Sequence, residues 1–242
     1  MFEGRRVLAV VPARGGSKGI KLKNLREVGG VPLVALAARV ARALPWIDLA
    51  VVSTDHPDIA RVAAAEGLDA SFPRPERLAG DRIADWDVLV DSLQQAEQRD
   101  GVQYDIVIML QPTSPMRRAE HVEAVVRQLV SQDFDAVWSV SETDSKAHPL
   151  KQLVVGAGGD MSYYDPAGAN IIARQQLQPV YHRNGIAYAI TRSCLLEQQT
   201  IKGRRTGAYV IDDLLVNIDT EFDLDLANFV VARAAADLKD KD

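Results

Sequence analysis

Glycines and basic residues are concentrated in one short segment near the amino terminus. Residues 12–24 read PARGGSKGIKLKN, and the three glycines let the backbone approach a ligand closely and direct N–H groups towards it. Four positive charges lie within ten residues of this segment, on Arg14, Lys18, Lys21 and Lys23. This composition suits the binding of a polyphosphate, and a solvated, flexible loop is the alternative interpretation.

Two well-known phosphate-binding patterns do not fit this basic segment. The P-loop requires Gly-Lys followed by Ser or Thr, but here Lys18 is followed by Gly19. The dinucleotide-binding pattern requires the spacing Gly-x-Gly-x-x-Gly, whereas the glycines here are Gly15, Gly16 and Gly19. Neither a P-loop NTPase nor an NAD-dependent enzyme is therefore favoured.

A second polar segment directly follows a later apolar run. Residues 110–115 read LQPTSP, and the two prolines favour a turn at the end of a buried strand. The side-chain amide of Gln111 has both donors and an acceptor, which suits contact with the edge of a nucleobase or of a sugar. A plain turn that ends the strand is the alternative for this segment taken alone.

A third polar segment lies near the carboxyl terminus, where residues 217–223 read NIDTEFD. In an extended chain Asn217 and Asp219 point to the same face. Oxygen ligands at this spacing suit Mg²⁺, which neutralises and orients phosphate groups. Thr220 and Asp223 have instead the spacing of a helix capping box, with Asp in place of the commoner Glu. Capping does not account for Asp219, so a metal site is predicted at Asn217 and Asp219.

The chain up to about residue 140 alternates strand and helix patterns that can bring these segments together. Apolar runs predict strands at Val7–Val11, Leu49–Val52, Ile106–Leu110 and Ala136–Val140. The runs between them predict helices at Leu33–Leu44, Asp58–Glu66, Asp87–Arg99 and His121–Val130. Such alternation indicates a parallel sheet covered on both faces. Ligands of such sheets bind beyond the carboxyl ends of the strands, where polar segments are found here.

The pattern changes at Ser141, and the chain is rich in glycine and proline from there to Asn184. This stretch is too short to bury a core of its own. We therefore predict that residues 141–184 form an inserted arm with hairpin-like segments, which packs on a partner subunit. Strands at Ile186–Ile190 and Tyr209–Ile211 and a helix at Glu221–Leu238 complete a main domain made of residues 1–140 and 185–242.

Composition argues against several classes of protein. Of the 242 residues, 47% are hydrophobic and 25% are charged, which is typical of globular chains and not of disordered ones. The net charge of −5 argues against a nucleic-acid polymer as partner, and no apolar run reaches the ~18 residues that a membrane span needs. The single cysteine, Cys194, excludes an internal disulfide and a multi-cysteine zinc site, which suits the reducing cytoplasm.

Taken together, the segments resemble the acylneuraminate cytidylyltransferase family, the CMP-sialic acid synthetases, whose relatives activate legionaminic, pseudaminic and Kdo-type acids. The resemblance runs from about Val7 to Asn228. Its most specific parts are Ala13–Asn24, which follows the pattern Ala-Arg-x-x-Ser-Lys-Gly-x-x-x-Lys-Asn, and Leu110–Pro115. Further matches in the family's order are Arg74-Pro75 with Leu78–Asp81, Arg174–Gln176, Asn184-Gly185 and Ile218–Asp223.

The resemblance implies a fold, an activity and an assembly. The implied fold is α/β, a Rossmann-like, mostly parallel sheet flanked by helices, of the nucleotide-diphospho-sugar transferase type, with an inserted dimerisation arm. The implied activity is the Mg²⁺-dependent transfer of CMP from CTP to the anomeric hydroxyl of a 2-keto sugar acid, with release of pyrophosphate. A cytoplasmic homodimer is expected, in which the arm lends a basic residue to the neighbouring site.

The resemblance also implies roles for individual residues. Catalytic roles are implied for Arg14, Lys23 and Asp219. Contacts with CTP are implied for Ala13, Arg14, Ser17, Lys18, Lys23, Asn24, Arg74 and Asp81. Contacts with the acceptor acid are implied for Gln111, Arg174, Gln176, Tyr181 and Asn184, and Arg174 is expected to meet its carboxylate. The expected Mg²⁺ ligands are Asp219 and Asn217.

Several residues depart from the family pattern. Sialic-acid enzymes usually have Asp at the position of Asn217, so one charge of a two-carboxylate metal site is missing. Lys21 replaces a common Pro, and Ala84 and Asp85 stand where relatives often have serines. The identity of the acid therefore stays open, and a Kdo-type cytidylyltransferase or another sugar nucleotidylyltransferase is the enzymatic alternative. A non-catalytic nucleotide-binding protein is the alternative of another class, supported by Asn217.

Overall fold

The computed structural model describes residues 1–239. Residues 240–242, the last three of the predicted main domain, lie outside the described part. The strands are β1 (Val7–Pro12), β2 (Glu27–Val28), β3 (Val31–Pro32), β4 (Leu49–Ser53), β5 (Ile106–Met109), β6 (Ala136–Glu142), β7 (Leu153–Val155), β8 (Met161–Tyr163), β9 (Tyr181–Thr191) and β10 (Thr206–Val210). The α-helices are α1 (Leu33–Arg42), α2 (Pro57–Ala65), α3 (Asp85–Asp100), α4 (Ala119–Ser131), α5 (Arg192–Leu196) and α6 (Glu221–Lys239). Each strand and helix predicted from the sequence overlaps one of these elements.

Strand β1 is buried on both of its faces, which requires a layer on each side of the sheet. Successive side chains of a strand point to opposite faces, and all of residues 7–11 are fully buried. On one face, Leu8 and Val10 pack in a hydrophobic core with Leu89 and Leu93 of α3. Helix α1 also packs against β1 and β4. The sheet is thus flanked by helices, which confirms the α/β prediction.

The central sheet has the strand order β10-β6-β9-β5-β1-β4. Strand β1 pairs in parallel with both neighbours, so that Val10 lies opposite Val51 on β4 and Met109 on β5. Strand β9 pairs antiparallel with β5, with Val107 opposite Ile190. The mostly parallel sheet is therefore confirmed. The sequence pattern does not reveal the direction of β9, because an apolar run reads the same in either direction.

The parallel pairing of β1, β4 and β5 places their carboxyl ends at one edge of the sheet. The basic segment begins at Pro12, the last residue of β1, and Gln111 lies two residues after the end of β5. Pairing continues one residue beyond β1, since the Ala13 N–H donates to the Ser53 carbonyl at 2.9 Å. The basic segment, the end of β4 and the Gln111 turn therefore share this edge.

A second apolar cluster connects the carboxyl-terminal polar segment with the basic segment. Ile20 of the basic segment is buried in it together with Ile218 and with Leu224 of α6. The Ile218 N–H donates to the Thr113 carbonyl at 2.9 Å, in the turn that follows β5. Asp219, the next residue, is thereby brought to the same edge of the sheet.

The chain divides into two compact units. The first contains residues 1–139, 184–209 and the chain from Leu214 onwards, and the second contains Val140–Arg183 and Val210–Asp213. The second unit includes the hairpin of β7 and β8, in which Leu153 lies opposite Tyr163, and several short 3-10 helices.

Among the helices within residues 1–239, none is both long enough and apolar enough to span a bilayer.

Candidate functional site

An open cavity of about 440 Å³ lies where the carboxyl ends of β1, β4 and β5 meet. Its walls come from widely separated parts of the first unit. The predicted site residues that it brings together are Arg14, Ser17, Lys18, Lys23, Asn24, Arg74, Asp81, Gln111 and Asp219. The cavity is therefore the candidate site of the protein.

Asp81 pairs with two cations of the basic segment. Its Oδ1 lies 2.8 Å from Arg14 Nη1, and its Oδ2 lies 2.7 Å from Lys18 Nζ. The hydrogen bond from Lys18, with further help from Arg14, holds the pKa of Asp81 below its usual range. Arg14 Nη1 also donates to the Ala79 carbonyl at 3.4 Å. Both cations face the cavity, so the phosphates of a bound nucleotide would compete with Asp81 for them.

The shape of the basic segment is set by one buried side chain and one close backbone approach. Asn24 is buried, and its Nδ2 donates to the Arg14 carbonyl at 2.9 Å. A Cβ built on Gly19 would lie only 2.6 Å from the Asp219 carbonyl oxygen. Only glycine allows this approach without a shift of the backbone. The basic segment therefore rests directly on the segment that carries Asp219.

Lys23 connects the same two segments through its side chain. Its Nζ donates to Asp219 Oδ1 and to the Ile218 carbonyl, both at 2.9 Å. The Lys23 side chain is largely buried, whereas that of Asp219 is exposed. These contacts fix the position of the Lys23 charge at the cavity wall.

Arg74 is held at the end of β4. Its Nε donates to Ser53 Oγ at 3.1 Å, and its Nη2 donates to the Ser53 carbonyl at 2.9 Å. Burial lowers the pKa of Arg74, and the nearby carboxylate of Asp55 opposes that effect. The guanidinium nevertheless stays charged at neutral pH because its reference pKa is so high. The result is a positioned cation with a planar set of donors at the cavity.

Gln111 lies on a turn that a buried arginine braces. The Ser114 N–H donates to the Gln111 carbonyl at 3.2 Å, which closes the turn. Arg117 is buried and also donates to the Gln111 carbonyl. Gln111 is one of the residues that line the cavity. Its backbone is therefore fixed from two directions.

Asp219 and Asn217 are placed differently, although both were expected at a metal site. Val216 and Ile218 are buried while Asn217 and Asp219 are exposed, which agrees with an extended, alternating segment. Asp219 lines the cavity, and Asn217 does not. Among residues 1–239 there is no cluster of three or more His, Cys, Asp or Glu side chains suited to a metal. Because Mg²⁺ often takes one carboxylate and several phosphate oxygens, Asp219 fits a metal that a nucleotide helps to bind.

Thr220 and Asp223 form the expected capping box at the start of α6. Asp223 Oδ2 accepts hydrogen bonds from the Thr220 N–H at 2.7 Å and from the Asp219 N–H at 3.0 Å. The Asp223 N–H donates in turn to Thr220 Oγ1 at 3.2 Å. The box fixes the backbone of Asp219 and so contributes to the site without lining it.

The other predicted residues lie away from the cavity wall or in the second unit. Ala13 and Asn184 are buried in the first unit and are not among the residues that line the cavity. Arg174 lines a smaller cavity of about 160 Å³ within the second unit. Gln176 and Tyr181 also belong to that unit, and Gln176 Oε1 accepts hydrogen bonds from two neighbouring backbone N–H groups. Their roles towards an acceptor stay predictions.

Two residues without a role in the sequence analysis are part of the site. Asp85, the first residue of α3, lines the cavity and acts electrostatically on Arg74. The sequence marks it only as a departure from the family pattern, because relatives often have a serine there. Arg117 has no local signal, because two of its three carbonyl partners, those of Gly185 and Ile186, come from β9.

The site can hold an anionic ligand and position it. Arg14, Lys18, Lys23 and Arg74 bring four cations to one cavity. Phosphoryl and nucleotidyl transfers depend mainly on positioning and on stabilisation of the charge that develops, which is what such an arrangement supplies.

The chain is similar to known proteins over most of its length. It is 30% identical over 231 residues to the CMP-N,N'-diacetyllegionaminic acid synthase of Legionella pneumophila, and the alignment covers 92% of this chain and 94% of that protein. It is 31% identical over 243 residues to N-acylneuraminate cytidylyltransferase A of Danio rerio, and the alignment covers 99% of this chain and 54% of that protein. The chain thus spans about half the length of the fish relative.

A solved structure and a family model agree with these similarities. The structure of CMP:2-keto-3-deoxy-manno-octonic acid synthetase complexed with CTP matches with a TM-score of 0.69, over 95% of this chain and 99% of that one. The two sequences are 20% identical, so this match shows a shared fold alone. The model of the cytidylyltransferase family matches residues 8–231. The chain therefore belongs to the cytidylyltransferase family and is a nucleotidyltransferase.

Proposed function

We propose that this protein transfers CMP from CTP to the anomeric hydroxyl of a sialic-acid-like 2-keto sugar acid and releases pyrophosphate. The observation that carries the proposal is the cavity at the carboxyl ends of the parallel strands, where Arg14, Lys18 and Lys23 lie together. Relatives that match nearly the whole chain are named for the synthesis of CMP-linked sugar acids or for N-acylneuraminate cytidylyl transfer.

In the proposed reaction, the hydroxyl oxygen of the sugar forms a bond to the α-phosphorus of CTP. The bond from that phosphorus to the oxygen that bridges to the β-phosphate breaks, and its electron pair leaves with pyrophosphate. The hydroxyl proton is released to solvent water, which reaches the open cavity. Negative charge grows on the leaving group, and Arg14 and Lys18 stabilise it once phosphate oxygens have displaced Asp81.

Lys23 supplies a cation that needs little rearrangement during the reaction. Its contacts with Ile218 and Asp219 and its burial hold the ammonium group in one position. A preorganised charge stabilises the transition state more than a mobile one, because it does not have to be oriented as the reaction proceeds. We therefore propose that the Lys23 ammonium group stabilises the negative charge of the phosphate chain of CTP.

Mg²⁺ is part of the proposal, with Asp219 as its protein ligand. When bound, the metal neutralises phosphate charge and orients the phosphate chain. Because the Asp219 side chain is 74% exposed, one of its oxygens can reach a cation while the other stays paired with Lys23. The assignment of Asn217 as a second ligand stays a prediction.

A cytoplasmic homodimer completes the proposal. The hairpin of β7 and β8 exposes apolar side chains, including Val155 at 67% and Met161 at 65%. Apolar surface of this kind is typical of an interface. In the proposed dimer the arm provides Arg174 for the acceptor carboxylate, and Gln111 contacts the rest of the acid. Cys194 is buried and forms no disulfide, as suits a reducing compartment.

The experiment that tests the proposal is a pyrophosphate-release assay on the full chain. CTP is combined in turn with N-acetylneuraminic, legionaminic, pseudaminic and Kdo-type acids, with UTP as the control nucleotide. We expect release with CTP and a sialic-acid-like acid, loss of release with a chelator, and a CMP-acid product by mass spectrometry. Release of pyrophosphate with the Kdo-type acid alone would favour the alternative that the protein is a Kdo-type cytidylyltransferase. Binding of CTP without release for every acid would contradict the proposal.

A further inference from the structure

Strand β9 touches the side chain of Gln111 at a glycine. Gly185 has a φ of +71°, a conformation that L side chains rarely adopt. A Cβ built on it would lie 2.6 Å from Gln111 Oε1 and 2.5 Å from Ser114 Oγ. Any residue other than glycine would therefore have to displace these two polar groups. Gly185 is needed both for the backbone conformation and for the space beside Gln111.

A buried arginine joins the same two segments through their backbones. Arg117 is 6% exposed, and its Nη2 donates to the carbonyls of Gln111 and Gly185, the latter at 2.9 Å. Its Nε donates to the Ile186 carbonyl. The planar guanidinium has its donors in a fixed fork, so one side chain sets the relative position of three carbonyls.

Burial of this charge works against stability. Burial lowers the pKa of Arg117 to about 9. Its hydrogen-bond acceptors within residues 1–239 are backbone carbonyls, so no carboxylate offsets the burial of its charge. A hydrocarbon side chain would avoid that cost but would leave the carbonyls without these donors. An arginine at this place is therefore better explained by positioning than by stability.

Further hydrogen bonds hold the same cluster together. Ser114 Oγ donates to the Asn184 carbonyl at 2.8 Å. Asn184 is buried, and its Oδ1 accepts from Ser139 Oγ at 2.6 Å. The turn after β5 and the residues around Gly185 thus form one hydrogen-bonded cluster, and Gln111 of that cluster lines the cavity.

We infer that Arg117 and Gly185 are positioning residues that set where the Gln111 amide lies in the cavity, and through it the affinity for the acceptor acid. The inference rests on the proposed function, in which Gln111 contacts that acid. The cations assigned to CTP come from other segments, so a displaced Gln111 would weaken binding of the acid and leave binding of CTP unchanged.

Gly185→Ala tests the inference, with Gly101→Ala as its matched control. Gly101 has a similar φ of +65°, and a Cβ built on it meets nothing within 4 Å. Both variants place alanine in the same strained region, but only Gly185→Ala pushes against Gln111 and Ser114. We expect Gly185→Ala to raise KM for the acid by about 3- to 10-fold, the value of one hydrogen bond. KM for CTP should stay the same, and Gly101→Ala should change neither constant.

Arg117→Lys and a double-mutant cycle separate positioning from a general structural defect. Lysine keeps the charge but cannot bridge three carbonyls, so Arg117→Lys should also raise KM for the acid and not KM for CTP. If Gly185→Ala acts through Gln111, it should add little to the effect of Gln111→Ala. Equal increases in KM for both substrates, or additive effects in the cycle, would overturn the inference. If Arg117→Lys does not fold, the comparison of KM values between Gly185→Ala and Gly101→Ala tests the inference without it.

A measurement on the enzyme without substrates distinguishes failure of this inference from failure of the proposed function. The side-chain amide of Gln111 is observed by NMR in the ¹⁵N-labelled full chain and is assigned by its disappearance in Gln111→Ala. We expect its resonance to move in Gly185→Ala and to stay in place in Gly101→Ala. An unmoved resonance in Gly185→Ala would refute positioning even if the enzyme is active. A moved resonance in a protein that accepts no acid would leave the positioning intact and refute the proposed function.

Discussion

The Nζ of Lys23 lies 2.9 Å from Asp219 Oδ1 and 2.9 Å from the carbonyl oxygen of Ile218. Lys23 and Asp219 are 196 residues apart in the chain. The contact joins a largely buried cation to a carboxylate that is open to the cavity. Loss of either residue therefore changes the electrostatics at the position assigned to the phosphate chain.

Asp219→Ala should abolish turnover and leave the fold intact. The substitution removes the proposed metal ligand and the partner of Lys23, but the exposed Asp219 side chain makes little contribution to the core. Turnover is measured by pyrophosphate release and folding by the melting temperature. Asp225→Ala removes the same charge from an exposed position on α6 and is the matched control. An active Asp219→Ala enzyme would refute the metal role.

Lys23→Met should impair the enzyme more than Lys18→Met. The Lys18 side chain is 80% exposed and that of Lys23 is 14% exposed, so solvent and salt screen the first charge more strongly. We expect the effect of Lys18→Met on KM for CTP to shrink at high salt and that of Lys23→Met to persist. Steady-state kinetics at low and high ionic strength measure both. The opposite order would show that Lys23 is not the main phosphate contact.

Arg74→Lys should weaken CTP binding, because a lysine cannot keep both contacts with Ser53 while it faces the cavity. Loss of a charged hydrogen bond to a ligand costs about 1.5–3 kcal/mol, which is roughly a 10- to 100-fold rise in Kd. Ser53→Ala removes only the hydroxyl acceptor of Arg74 and should have a smaller effect. Titration calorimetry with CTP checks both variants. A Kd unchanged by Arg74→Lys would place Arg74 outside the nucleotide site.

Asp223→Asn should destabilise the protein in a way that depends on pH. Partial burial opposes ionisation of Asp223, but the hydrogen bonds from Thr220 outweigh it and lower the pKa of this carboxyl. A carboxyl with a lowered folded-state pKa stabilises the fold above its unfolded pKa, near 3.9, and loses this contribution as the pH falls through the folded value. At pH 7 we expect a loss of about 1 kcal/mol, or roughly 2–4 °C in melting temperature.

Calorimetric melts of wild type and Asp223→Asn between pH 7 and pH 3 measure this effect. The difference in melting temperature should shrink as the pH falls below the unfolded pKa near 3.9, because protonation of this carboxyl then favours the unfolded wild-type chain. A gap that does not change with pH would mean that the charge of Asp223 does not contribute to capping.

Val155→Asp should dissociate the proposed dimer. The substitution places a charge on the exposed apolar hairpin, where it would be buried by a second subunit. Leu214→Asp, at a residue of the first unit that is 71% exposed, is the control. Sedimentation analysis gives the mass of each variant. Wild type that sediments as a monomer would contradict the dimer directly.

Much of the site follows from the sequence because parallel strands align their carboxyl ends. Once the apolar runs of β1 and β5 are recognised, the residues after them are expected at one edge, and Arg14 and Gln111 do line one cavity. Asp219 joins them although it follows no strand of the central sheet. Its residue type and spacing predict a metal ligand, the family resemblance implies its place beside the nucleotide, and the buried Ile218 next to it provides the anchor.

Other features depend on contacts that no local pattern encodes. Arg117 lies in a turn typical of exposed residues, and its burial is decided by carbonyls of β9 that lie 68 and 69 residues further along the chain. Asp85 is recognised in the sequence only as a departure from the family pattern, and the tertiary fold places it at the cavity. The inclusion of Val210–Asp213 in the second unit likewise arises from long-range contacts.

The close approach of Gly19 to the Asp219 carbonyl makes tolerance to mutation uneven within the basic segment. A Cβ on Gly16 would meet nothing within 4 Å, whereas one on Gly19 would collide with the backbone of the other segment. In a library that randomises residues 12–24, variants at position 16 should survive selection and those at position 19 should be lost. Survivors at position 19 would need a second change near residue 219, so the two distant segments should vary together and not independently.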